Sequence, residues 1–234
     1  MNSKPWLWVL AAALSFVVIS SLSPKTWLPK GELNPIDLCR KLAEQGDAAA
    51  CYQLGTNYRF GNSTHKDAEK AAYWLSKAAD AGLPRAQSDL GLFYLYGEGV
   101  ARDQAKAASL FLKAAHKDDA LAQFNIGSCY AHGEGVSKDY AEAAKWWSKA
   151  AQQGDATALL ELGDLYSTGK GVAKDEVKAY SLYNIAGITI DEARLKLTKL
   201  EKNLSREEVA AGQKRSKELQ KEIEAKIAAK EAGK

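Results

Sequence analysis

The stretch AQSDLGLFYLYGEGVARDQAKA, residues 86–107, recurs in kind three more times along the chain at an interval of 36 residues. Leu-Gly or Ile-Gly dipeptides end at Gly55, Gly91, Gly127 and Gly163. Tyr58, Tyr94, Tyr130 and Tyr166 keep that interval, as do Gly61, Gly97, Gly133 and Gly169. So do Asp67, Asp103, Asp139 and Asp175, then Ala71, Ala107, Ala143 and Ala179. Five position classes held in one register are the mark of an internal repeat.

Each position has a physical reason. In A-x-x-x-L-G-x-x-Y-x-x-G the Ala, Leu, Tyr and final Gly recur at spacings of three and four, one side of a helix. The Gly after Leu leaves room for a neighbouring helix. The loop then reads Gly97–Val100 and Gly133–Val136 as G-E-G-V, and Gly169–Val172 as G-K-G-V. Its glycines suit a helix end with positive φ. The Asp three residues after Val is placed to N-cap a second helix, whose first turn favours a carboxylate. That second helix carries Ala71, Trp74 and Ala78, then Ala107, Phe111 and Ala114, then Ala143, Trp147 and Ala150, again a single stripe. One such hairpin cannot bury its apolar face alone, so the copies must stack.

The pattern A-x-x-x-L-G-x-x-Y-x-x-G-x-G-V-x-x-D-x-x-K-A resembles the Sel-1-like repeats, a branch of the tetratricopeptide-like helical solenoids. The resemblance covers about residues 36–200 and implies an all-α fold, a right-handed α-solenoid of helix-turn-helix repeats. Its four copies run over about 50–85, 86–121, 122–157 and 158–193, inside a solenoid domain at 36–204. Asp37–Gly46 reads as the second helix of a degenerate leading repeat, and Asp191–Lys202 as a polar closing cap. The first copy departs, with Asn62-Ser63-Thr64 replacing the second Gly and the Val, and the second has Asp118 where a closing Gly belongs.

Both flanks differ from the repeats. Trp6 to Ser23 are 18 residues without charge, behind Lys4 and ahead of Lys25. Residues 1–23 therefore read as a signal anchor or a signal peptide. An 18-residue helix rises about 27 Å, close to the hydrocarbon thickness of a bilayer. Trp6 and Trp8 at one end and Trp27 at the other suit its two interfaces. The reading adopted is an uncleaved inner-membrane anchor with the repeats in the periplasm, export to the periplasm being the alternative. Residues 24–35, with three prolines and a glycine, are a linker. At the other end Ser205-x-x-Glu208 forms a capping box that opens a charged helix over 205–234. Val209, Leu219, Ile223 and Ile227 give it a narrow apolar stripe. Its first half is expected to pack on the solenoid and its second half to be solvated.

Composition excludes several classes of function. Lys+Arg number 32 against 29 Asp+Glu, a net charge of +3 with both signs interspersed, so no nucleic-acid face is expected. The histidines are scattered, no metal-ligand spacing occurs, and no cofactor motif is present. The GEGV loops lack the strand and the G-K-[ST] ending of a phosphate-binding loop. Ser63-Thr64-His65-Lys66 matches S-x-x-K, but the companion motifs S-D-N and K-T-G are absent and the four residues fall in a loop. No catalytic residue is assigned. Cys39 and Cys51, on helices joined near Gly46-Asp47, are a possible disulfide, although their stagger leaves the Cα separation open.

A stacked-helix solenoid presents its first helices along a concave face open to a partner. With Ala50, Ala86, Ala122 and Ala158 as position 1, positions 4, 7, 8 and 11 form a stripe apart from the repeat signature. The candidate protein-binding residues on it are Asn57, Phe60, Asp89, Leu92, Phe93, Tyr96, Asn125, Ser128, His132, Glu161 and Asp164. They vary between copies, and Phe93 and Tyr96 offer aromatic anchors. The expected function is therefore a non-enzymatic protein-binding adaptor of the cell envelope. The family resemblance implies two alternatives: an immunity protein that neutralises a toxic envelope effector such as a phospholipase, and a hydrolase of β-lactam or peptidoglycan-related substrates.

Overall fold

A computed structural model of the chain describes residues 35–62 and 64–232. The expected apolar segment, the linker as far as residue 34, and Ser63 lie outside the described residues. The chain divides into two units, residues 1–38 and 39–234. Helix α1 (Pro35–Glu44) begins in the first and ends in the second.

The second unit is the solenoid, and no strand occurs among the described residues. Its four hairpins are α2 (Ala48–Phe60) with α3 (Ala68–Asp80), α4 (Pro84–Tyr96) with α5 (Gln104–Ala115), α6 (Ala120–His132) with α7 (Tyr140–Ala151), and α8 (Ala156–Thr168) with α9 (Glu176–Ala186). Two further helices follow, α10 (Asp191–Glu201) and α11 (Arg206–Ala232). From α2 to α10 each helix packs on the next, and α11 folds back onto α9.

The repeat signature is this geometry in residue form. Every first helix ends on a left-handed glycine, Gly61, Gly97, Gly133 or Gly169, with φ from 74° to 78°. Every second helix starts from an Asp whose carboxylate accepts a backbone N–H of the first turn. The same Asp donates its own N–H to the carbonyl of the repeat tyrosine at 2.8–2.9 Å, which closes the loop. At Gly127 a Cβ would lie 2.5 Å from the Trp147 ring, so the two helices of that hairpin meet through the missing side chain. The second loop glycine serves a different contact. A Cβ on Gly135 would lie 2.0 Å from the Gln104 carbonyl oxygen, which brings this loop onto the start of α5 in the preceding repeat.

Two departures from sequence expectation concern the ends of repeats. Asp118 takes the left-handed conformation of the glycine it replaces, with φ 61°. Its carboxylate accepts the side-chain amides of Gln123 at 3.0 Å and Gln153 at 3.1 Å, which offset the cost of about 1 kcal/mol for a non-glycine residue there. The first half of the closing helix α11 packs on the solenoid as expected, and its second half, largely exposed, still touches earlier repeats through a few side chains. Gly212 sits against Tyr180, with room for no Cβ (2.5 Å), and Ser216 Oγ donates to the Ser181 carbonyl at 3.4 Å. Farther along, Ile223 is buried and Ile227 lies over Gly154. Lys226 Nζ reaches Gln152 at 3.1 Å, and Lys230 Nζ reaches the Asp118 carbonyl at 3.0 Å. The docking row runs 209, 212, 216, 219, 223, 227, a spacing of three and four. Gly212 and Ser216 belong to it although neither is apolar, which is why the stripe looked too narrow.

Candidate protein-binding face

The four-position stripe of the first helices divides on folding. Position 8 turns inward. Phe93 is 1% exposed and Cys129 and Leu165 are also buried, with Asn57 half-buried. Phe93 is therefore a core residue and not a partner anchor. Its ring carries the Arg59 guanidinium 5.4 Å from its centre. Cys129 is equally enclosed, and burial pushes its thiol up to about 12.

Position 4 behaves differently in each copy. Asp89 is only 6% exposed. It accepts the Tyr52 hydroxyl at 2.9 Å and pairs with Arg59 at 3.2 Å, so it ties repeat one to repeat two and has no free carboxylate to offer. Burial and then the Asp89 charge raise the Tyr52 hydroxyl above its ordinary value. The Asn125 side-chain nitrogen is buried and has no hydrogen-bond partner among the described residues. Glu161 is half-buried at the equivalent place. At position 7, Leu92 packs on the core of repeats two and three, and Ser128 Oγ donates to the Phe124 carbonyl at 3.2 Å. Position 11 is the open one. Phe60 is 63% exposed and Tyr96 67%, and His132 is exposed with Nδ1 2.9 Å from the Ser128 carbonyl.

Glu161, Asp164 and His132 come together in a groove of about 610 Å³ formed by α6, α7, α8, α9 and α10. Asp164 is its most heavily engaged group. It accepts the Tyr183 hydroxyl at 2.6 Å and pairs with Lys196 at 2.6 Å, and Lys196 pairs in turn with Glu192 at 3.0 Å. Burial alone would lower the Lys196 ammonium, but its bonds to Asp164 and Glu192 outweigh that and raise it. Burial first, then the nearby Asp164 charge, pushes the Glu161 carboxyl above the usual carboxylate range.

Four groove lysines escaped sequence reasoning. Lys138 and Lys170 come from the two loops beside Tyr140, 4.9 and 5.8 Å from its ring centre. A hydrogen bond from Lys138 lowers the Tyr140 hydroxyl. Lys196 and Lys199 come from α10. Their spacing of three on a helix read only as a polar cap was the available signal. In the groove Asp164 is bonded to Tyr183 and Lys196, and His132 Nδ1 lies against a backbone carbonyl. Of the S-x-x-K segment, Ser63 lies outside the described residues, and Thr64 Oγ1 donates to the Asn57 carbonyl at 3.1 Å. Cys39 and Cys51 are free thiols, each donating at 3.4 Å to a carbonyl on the other's helix (Ala50 and Ala43).

Comparison with known proteins places this architecture. The Sel1 repeat matches residues 48–83, 84–119, 120–155 and 156–187. The chain belongs to the Sel1 repeat family, whose stacked hairpins are a scaffold for protein interaction. These boundaries lie two residues earlier than those read from the sequence for the first three copies, and the fourth copy ends at 187 instead of 193. Among solved structures, a protective antigen of uropathogenic Escherichia coli is 33% identical over 78% of this chain, with a TM-score of 0.70. The chain spans only 40% of that protein's length. A Sel1 repeat protein from Oxalobacter formigenes is 31% identical, with a TM-score of 0.64, over 78% of this chain and 84% of that one. No curated protein matches the chain.

Proposed function

We propose that this protein is a non-enzymatic adaptor of the cell envelope, and that it holds a partner protein on the first-helix face with the groove at repeats three and four as the main seat. The groove carries the reading. It is open, within the size range of sites that bind ligands, and lined by side chains of five helices and two loops, with charges already held in place by Tyr183 and Lys196. Preset side chains lose little freedom on binding, which favours affinity. The exposed rings of Phe60 and Tyr96 extend the face toward the first repeats as candidate anchors.

Site-directed photocrosslinking in cells tests it. A photoreactive residue at Tyr96 or Thr168 should trap a defined partner, whereas one at Tyr73, exposed on a second helix, should not. Crosslinks from Tyr73 alone would refute the assigned face. A trapped toxic effector would specify the immunity role within it. Loss of biological activity in a folded Ser63→Ala protein, with no effect of Tyr96→Ala, would reopen the hydrolase alternative.

A further inference from the structure

We infer that the groove takes an extended acidic segment of the partner's chain, with carboxylates meeting Lys138, Lys170 and Lys199 and an aromatic or aliphatic residue against Tyr140. This rests on the adaptor reading and adds the chemistry of what is bound.

The charges favour such a segment. The groove contains three carboxylates, and two are already matched: Asp164 by Lys196, and Glu176 by Lys174 at 2.6 Å. Lys138, Lys170 and Lys199 are exposed and form no ion pair with a carboxylate among the described residues. Lys138 and Lys170 both lie over the Tyr140 ring, which draws the two ammoniums to one place. Glu161 is the one of the three without a salt bridge among the described residues. An incoming acid therefore meets three cations that no groove carboxylate already matches.

The layout favours a chain over a single phosphate or a lipid headgroup. The cations stand in two sets, the loop pair at Tyr140 and the α10 residues, with the α8 carboxylates on a third element. Such separation suits several carboxylates spaced along a strand, successive side chains being about 3.3 Å apart in rise. The groove is also bordered by the N-termini of α7 and α9, the places where a phosphate would ordinarily sit. Both are taken by the capping carboxylates of Asp139 and Asp175. No arginine lines the groove to fork a phosphate.

The test is fluorescence anisotropy of the full chain in non-ionic detergent with a fluorescein-labelled peptide of alternating Glu and Tyr. A Lys-Tyr peptide of the same length is the control. The Glu-Tyr peptide should bind and the control should not. Lys138→Glu combined with Lys199→Glu should weaken binding by about tenfold or more, and raised salt should weaken it too. Glu161→Gln should tighten it, a gain that general destabilisation cannot produce. Circular dichroism establishes that the variants are folded. Equal binding of both peptides, no response to the charge reversal, or displacement by millimolar inorganic phosphate or by phosphatidylglycerol vesicles would each overturn the inference. If Tyr96 still crosslinks to a partner in that case, the adaptor reading stands and only the acidic-segment chemistry fails. If the Glu-Tyr peptide binds but no position on the face crosslinks, the adaptor reading fails instead.

Discussion

Phe93 and Tyr96 are three residues apart on one helix and have opposite surroundings, one 1% and the other 67% exposed. Phe93→Ala empties a core position and should cost about 3–5 kcal/mol. Tyr96→Ala should stay within about 0.5 kcal/mol. Chemical denaturation of the two variants measures both, and comparable losses would show that the helix is rotated from its assigned position. Cys129 gives a kinetic check. A thiol held near 12 carries almost no thiolate at pH 8, so iodoacetamide should modify it only after unfolding. Glu161 gives a pH-dependent one. Its folded carboxyl binds a proton more tightly than the unfolded one, so the stability it contributes is present below the ordinary carboxylate range and is lost as pH rises through the raised value. Glu161→Gln should therefore raise the melting temperature at pH 8 and have little effect in acid. The opposite trend would mean that the carboxylate is better solvated than its position implies.

At the scale of elements, α11 is the test case. Its capping box forms as the sequence indicates, with Ser205 N–H donating to Glu208 at 2.8 Å and Glu208 N–H to Ser205 Oγ at 3.2 Å. Its docking extends past the last repeat to the turns at Gly154 and Asp118, which belong to repeats three and two. Ending the chain after Leu219 removes Ile223, Ile227, Lys226 and Lys230 from that surface. Burial of an isoleucine is worth about 2 kcal/mol, and a domain of this size loses roughly 2–4 °C per kcal/mol. The truncated protein should melt several degrees lower, and an unchanged transition would mean that the distal half contributes nothing. Gly212→Leu, which drives a side chain into Tyr180, should lower it as well.

At the scale of the whole molecule, the adaptor reading requires export or anchoring, and that rests on residues 6–23. They lie outside the described residues, and among the described residues no helix is long and apolar enough to cross a membrane. We propose that the segment is retained as an anchor. Intact mass measurement on the membrane fraction should then find the full chain; a soluble species lacking residues 1–23 would replace the anchor with a cleaved signal.

The periodic features of this protein were legible before any coordinates. Gly127, Asp139 and Tyr130 are demanded by contacts within one hairpin, a few turns of chain apart, so each leaves its mark at a set spacing. The second loop glycine was read as a turn residue, and only the structure showed Gly135 pressed against the preceding repeat. The groove was legible in part. Glu161, Asp164 and His132 came from the stripe, because one helix face can be read by counting. Phe93 was misplaced on that stripe because the outer and inner sides of a helix differ by a single residue step of about 100°. Lys199 showed only as the residue three after Lys196 on a polar helix, and its meeting with Lys138 and Lys170 could not be read by counting, since two loops and a fifth-repeat helix come together only after the hairpins stack. Local periodicity determined the fold. Which charged side chains share one groove was decided by tertiary packing, which joins residues with no common register.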